Sequence, residues 1–415
     1  MSHVRLQRVL IAAAGAANKG TAILMGTAMA VLIGRRGSPF AVSMVFTTFW
    51  FGLMVFSPVW GAIADVTGRR RAVLVLTGVL STVAILPLAV VSGVWLPIFF
   101  RGLFAVFAAG FFPVMLTIVS ERGGAEARGQ SIGFLTAARA VGLMAGQFLA
   151  GLLLGVAPPA VLFLVVAGIA AIVVVTVPFV EDPAPSPAEP PTFARVRAEI
   201  RARLLPTDPE RGLPRTNGLR WLFVAILLRN LTVLGIGSLL PIYLVAEIGV
   251  SEYLMGILLA INPAAQMGFM YLLGRVADAT GRKPLIVVGV ASSGLHGLVM
   301  AAALLPATVT VRAAVAGIGF LVLAAGFSAL VIGSVAFIGD VAPADRESEL
   351  MGLRETFRGL GGVVGPAAFG IAATVAGYQA TFVTGSLLAF VGTGLVLRFL
   401  VESHGRPDGR GSEPA

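Results

Sequence analysis

The chain has 415 residues, 57% of them hydrophobic and only 12% charged, with a mean hydropathy of +0.94. A soluble protein carries about a quarter charged residues, so the solvent of this chain is lipid. It has no cysteine and three histidines, His3, His296 and His404. Disulfides, thiol nucleophiles and cysteine metal sites are therefore excluded, and neither a histidine metal cluster nor a bound cofactor is expected. The net charge of +10 admits nucleic acid as a partner. The basic residues, however, gather in short loops on one side of the membrane, which assigns them to topology instead.

Apolar stretches long enough to span a bilayer, about 20 residues each, fall near 9–33, 40–63, 72–93, 95–119, 129–155 and 159–180. The basic start and apolar run of the N-terminus read as the first membrane helix, since no small-residue cleavage site precedes a soluble domain. Six more stretches fall near 219–247, 251–273, 285–305, 311–338, 349–376 and 379–400. Turn and charge signals separate them, among them Arg35-Arg36-Gly37, Glu121-Arg122-Gly123-Gly124 and Pro158-Pro159. The pattern predicts an all-α membrane protein of twelve transmembrane helices in two pseudo-symmetric six-helix bundles.

The bundles occupy residues 1–180 and 219–402, with a linker at 181–218 and a tail at 403–415. In the linker, residues 183–191 are rich in proline and read as an extended spacer. After them Phe193, Val196, Ile200 and Leu204 recur at helical spacing, with Arg195, Arg201 and Arg203 elsewhere around the helix. That is either an amphipathic helix on the inner membrane face or an ordinary solvated linker.

One stretch is written twice. Gly61, Asp65, Gly68, Arg69 and Arg70 follow G-x-x-A-D-x-T-G-R-[RK], and Gly274, Asp278, Gly281, Arg282 and Lys283 repeat it 213 positions later. Glycine allows the sharp reversal, the Asp can cap a helix or meet the basic cluster, and the basic residues suit a cytoplasmic loop. A charged turn that merely ends a helix would account for one copy. Two copies at matching places point to a duplicated membrane protein. At an offset of 219, Gly133, Arg139, Gly142, Gly146 and Gly151 align with Gly352, Arg358, Gly361, Gly365 and Gly370, and Glu121 with Asp340. Asn18 aligns with Asn230 at an offset of 212. Two halves that start on the same side are parallel repeats about an axis along the membrane normal.

With the N-terminus inside, inner segments hold 21 Lys and Arg and outer loops three, Arg35, Arg36 and Arg312. That excess puts both termini in the cytoplasm and the protein in the cell membrane as a multi-pass chain.

Over roughly 9–400 the chain resembles the major facilitator superfamily of secondary transporters. The resemblance rests on six plus six helices, a long central loop and the doubled loop motif. It implies that this loop is a conformational latch, with Glu121 and Asp340 as acidic partners of its basic residues. Arg101, followed by Gly102 and Gly110, resembles the fourth-helix Arg of proton-coupled members. The fifth-helix antiporter motif departs from the family pattern, because Gln147 stands where its proline would be and the Gly-Pro survives only as Gly365-Pro366. Its glycines read equally as close helix packing.

A charge inside the bilayer is costly, so each one is a candidate functional residue. Lys19, Arg139, Arg229 and Arg358 each lie about ten residues into a helix, about 15 Å deep. Arg354 lies one turn from Arg358 and Arg101 nearer the outer side. The single acid among them is Glu355, at i,i+3 from Arg358. Six basic groups against one acid favour an anionic substrate. The other reading of the arginines is hydrogen bonding to backbone or snorkelling. Lys19, Arg139, Arg229, Arg358, Asn18 and Asn230 are thus expected at the substrate, and Glu355, Arg101 and Arg354 in coupling. Asn262 and Gln266 are further polar contacts, and Phe49, Trp50, Tyr243 and Phe327 are aromatic residues for the cavity or for packing. The expected activity is transport by alternating access, coupled to protons, in a monomer. A multidrug or metabolite efflux antiporter and a non-transporting sensor are the alternatives. No His/Cys cluster or nucleophile motif suggests an enzyme.

Overall fold

The computed structural model describes residues 3–183, 192–204, 216–343 and 346–403, except the side chains of 125, 126, 277–279 and 348. Among the described residues there is no strand. Without water in the hydrocarbon, each backbone N–H and C=O must bond within its own segment, and a helix achieves this. The helices are α1 (His3–Gly34), α2 (Pro39–Thr67), α3 (Arg70–Ala89), α4 (Trp95–Gly124), α5 (Ala127–Val156), α6 (Pro159–Phe179), α7 (Phe193–Leu204), α8 (Thr216–Ile248), α9 (Glu252–Thr280), α10 (Arg282–Ala302), α11 (Val309–Val341), α12 (347–376) and α13 (378–399). The break between α12 and α13 is Gly377, at φ 79° and ψ 170°. Apart from α7 these are the twelve expected spans, and twelve crossings return the chain to the side where it began.

Local signals set the ends. Ser38 accepts from the Ala41 N–H with Pro39 at the first helical position, and Ser251 accepts from the Leu254 N–H. Gly68 closes α2 in the left-handed conformation, φ 63°, its N–H on the Ala64 carbonyl at 3.0 Å. The Pro-rich segment 184–191 and the tail from residue 404 lie outside the described residues, as does the Asp278 side chain.

Helices α1–α6 form one half and α8–α13 the other, each around its own apolar core. The cores exchange a residue at the end away from the termini. Val31 of α1 is buried in the second half's core, and Ile242 of α8 in the first's.

The repeated glycines divide by position. A Cβ on Gly146 of α5 would lie 2.7 Å from the Gly20 carbonyl oxygen of α1, and one on Gly365 of α12 would lie 2.6 Å from the Leu231 oxygen of α8. These pairs pack within a half. The next repeat pair packs between halves: Gly151 against Gly256 of α9 at 2.7 Å, and Gly370 against Ser43 of α2 at 2.6 Å. Small residues let the backbones approach where no hydrophobic effect drives helices together.

Candidate functional site

Contacts between the halves gather on the side of the α1–α2 turn. Arg35 pairs with Glu252 at 2.5 Å, and the Phe40 N–H donates to Thr374 Oγ1 at 3.1 Å. Phe148 and Tyr253 meet edge to face with centroids 5.9 Å apart. On the other side of this closure, towards the termini and the repeated loops, lies a chamber of about 350 Å³ between the halves. The first half lines it with Lys19, Phe112, Arg139 and Leu143, and the second with Arg229, Asn230, Gln266, Met267, Met270, Phe327, Val331, Arg354 and Arg358.

The arginines of the chamber each have defined neighbours. Arg229 is buried, donating from Nε to Ser293 Oγ at 3.0 Å and from Nη1 to Asn230 Oδ1 at 3.1 Å. Asn230 is itself held by its own Nδ2, which donates to the Ile226 carbonyl at 2.7 Å. Arg139 lies over the Phe112 ring at 3.9 Å, Arg229 over Phe327 at 5.6 Å and Arg358 over Trp50 at 5.8 Å. Arg354 donates to Ser334 Oγ at 3.1 Å. Glu355 is half-exposed and accepts from Arg354 at 2.6 Å and from Arg358 at 3.3 Å. The arrangement can therefore bind and orient an anion, with one carboxylate beside it able to exchange partners.

Several expected residues fall elsewhere. Asn18 lines a separate small cavity with Thr21, Thr77 and Ser81, inside the first half. Arg101 is buried within the same half, its Nη2 donating to the Ala22 carbonyl at 2.9 Å and its guanidinium over Phe49 at 4.2 Å. Gly26 leaves it room, since a Cβ there would lie 2.9 Å from Nη2. Tyr243 is buried in the second half and donates to the Met300 carbonyl at 2.6 Å. Asn262 accepts from Gln266 at 2.5 Å, one turn along α9.

At the first repeated loop, Arg70 donates to both oxygens of Glu121, at 2.5 and 2.8 Å, and reaches Asp182 at 3.6 Å and Asp65 at 3.8 Å. Arg69 is exposed, its N–H on Thr67 Oγ1 at 3.3 Å. Arg203 of α7 donates to Asp65 at 2.9 Å and to Glu199 at 2.8 Å, and lies over Gly61, where a Cβ would meet its Nη1 at 2.9 Å. Burial opposes the Arg203 charge, but the bonds to Asp65 and Glu199 outweigh it and raise its pKa above the ordinary value. At the second loop, Gly281 turns at φ 90° and Arg282 Nε donates to Asp340 at 3.2 Å. The N–H groups of Arg282 and Lys283 donate to Glu402 at 2.9 and 3.0 Å, and Ser403 donates to Asp340 at 2.8 Å. Gly274 stands with open space around its Cα.

Sequence reasoning missed Phe112, Met267 and Met270 in the chamber, Ser293 behind Arg229, and Arg203, Asp182 and Glu402 at the loops. A signal existed for Glu402. Each half ends in Val-Glu, Val180-Glu181 and Val401-Glu402, just past its final span. Nothing in the order of residues marked Ser293 or the methionines.

A family model described as Major Facilitator Superfamily matches residues 9–324 and 317–415. The chain is 26% identical over 361 residues to the multi-drug resistance efflux pump PmrA of Streptococcus pneumoniae, covering 86% of this chain and 85% of that one. Among solved structures it is similar to the nucleoside transporter NupG, with a TM-score of 0.72 and 13% identity over 95% of this chain and 99% of that one. It is also similar to the inward-open xylose transporter XylE from E. coli, with a TM-score of 0.69 and 13% identity over 96% and 97%.

Proposed function

Because the chain belongs to the Major Facilitator Superfamily, we propose that this transporter moves a small organic anion by secondary active, proton-coupled alternating access. The observation that carries the anionic preference is the charge of the chamber wall. Lys19, Arg139, Arg229, Arg354 and Arg358 line it, and among the described residues the carboxylate that pairs with two of them is that of Glu355. A guest carboxylate, phosphate or sulfate supplies the missing counter-charge. Asn230 and Gln266 add hydrogen bonds.

Coupling follows from competition. A guest anion that takes Arg358 releases Glu355, which then accepts a proton; loss of that proton restores the pair and expels the guest. Arg354 holds Glu355 in place during the exchange, and Arg101 keeps the α1–α4 packing of the first half rigid. The protein works as a monomer in the cell membrane, with its termini and repeated loops in the cytoplasm, where the excess of Lys and Arg belongs. The closure at the α1–α2 turn is then the outer gate.

A second reading, efflux of varied apolar compounds, draws support from the chamber's Met267, Met270, Leu143 and Phe327 and from the efflux activity that the name of the S. pneumoniae relative carries. Flux into proteoliposomes under an imposed pH gradient separates the two. Anionic aromatic compounds should be driven by the gradient and cationic ones should not. Transport of cations alone would replace the anion reading with the efflux one.

A further inference from the structure

The two halves each present an unfinished arginine to the same chamber. Arg139 of α5 and Arg229 of α8 both line it. Arg139 Nη1 and Arg229 Nη2 are buried and have no hydrogen-bond partner among the described residues. A guanidinium carries five N–H donors in a rigid plane, and leaving one unmet in a buried place is costly, more so when the group is charged. Neither group is free to swing away for a partner. The Phe112 ring holds Arg139, its centroid 3.9 Å from the guanidinium carbon. Bonds to Ser293 and Asn230 set that of Arg229.

The charges around them come from both halves. Lys19 stands with Arg139 in the first half, and Arg354 and Arg358 stand with Arg229 in the second. The rest of the wall is largely apolar, with Leu143, Met267, Met270 and Val331. A single carboxylate bound to one of these two guanidiniums leaves the unmet N–H of the other to a second acceptor.

We infer that the chamber's ligand is an amphipathic dianion, an apolar body with one anionic group for Arg139 and a second for Arg229. This rests on the anion reading above and specifies it. Such a ligand touches both halves at once, so it binds most strongly when the halves approach on the open side. That differential affinity is what shifts an equilibrium between conformations. A monoanion satisfies one half and gives less of this pull.

The test uses the full chain in detergent or nanodiscs and a matched set of naphthalene probes, read by calorimetry. The set is 2-naphthoate, naphthalene-2,6-dicarboxylate, 1-naphthyl phosphate and 2-naphthylmethylammonium. The dicarboxylate should bind about tenfold tighter than the monocarboxylate, one further charge-assisted contact. Arg139→Gln and Arg229→Gln should each bring it to within about threefold of the monocarboxylate. Equal binding of the mono- and dicarboxylate by the wild-type chain overturns the two-group dianion but leaves the anion reading standing. So does naphthyl phosphate, with both charges on one head, binding as tightly as the dicarboxylate. Tightest binding of the ammonium probe overturns both readings. The wild-type comparison decides the matter even if a variant fails to fold.

Discussion

Arg203 of the linker helix reaches across 138 positions to donate to the carboxylate of Asp65 at 2.9 Å. The bond ties α7 to the end of α2, beside the loop that the chain repeats. Helix α7 buries no side chain fully, and Phe193 at its start is 83% exposed. The helix is therefore held by its clasp on α2 and by its half-buried Val196 and Ile200, not by a core of its own.

Loosening that clasp should release the helix without melting the bundle. Arg203→Gln or Asp65→Asn should shift the melting temperature by less than about 2 °C, because a partly exposed ion pair contributes only about 0–1 kcal/mol. Trypsin should nonetheless cut the arginine-rich helix faster in both variants. The double variant should be no worse than either single one, since they share one bond. Unchanged proteolysis in all three would show that α7 docks by other contacts.

Arg70 carries more. It is 11% exposed and holds Glu121 through both oxygens, with Asp182 and Asp65 within 3.8 Å. Arg70→Ala leaves three carboxylates facing one another and should cost about 2 kcal/mol. Arg70→Lys should recover only part of this, since an ammonium cannot make the paired contact. Thermal denaturation of the three proteins in one detergent checks the order.

The glycines that join the halves should govern the gate at the α1–α2 turn. Gly151→Leu forces α5 from Gly256 of α9, so the closed side should be propped open. Gly155→Leu, where the Cα faces open space, should have little effect. Because the chain has no cysteine, Ser43→Cys gives a clean probe: Ser43 is buried against Gly370 at this gate. Maleimide should label it faster in the Gly151→Leu background. Equal labelling in both backgrounds would remove Gly151 from the gate.

Glu355→Gln should separate binding from coupling. The amide leaves Arg354 and Arg358 without their carboxylate, so an organic anion should bind several-fold tighter. Uptake should lose its dependence on an imposed pH gradient. Gradient-driven uptake at the wild-type rate would take Glu355 out of the proton path.

Much of this was open to reading along the chain. Lipid-spanning segments announce themselves by length and hydropathy, and the doubled loop by its own repetition. The offset that aligns Arg139 with Arg358 places both beside the chamber, and the one that aligns Gly151 with Gly370 places both against the opposite half. The offset that pairs Asn18 with Asn230 fails for function: Asn230 lines the chamber and Asn18 a cavity inside the first half.

What the order of residues determined by itself was depth: how many helices cross, where each begins, and which charges lie near the middle. What only the folded molecule decided was direction. Successive residues on a helix point about 100° apart, so Lys19 meets the chamber while its neighbour Asn18 turns from it. In water an apolar stripe would reveal that rotation. In lipid every face of a helix is apolar, so rotation shows only once the helices have packed. The same holds for Arg101, enclosed by Phe49 and Phe104, and for Arg203, whose partner Asp65 is set by how the linker folds back.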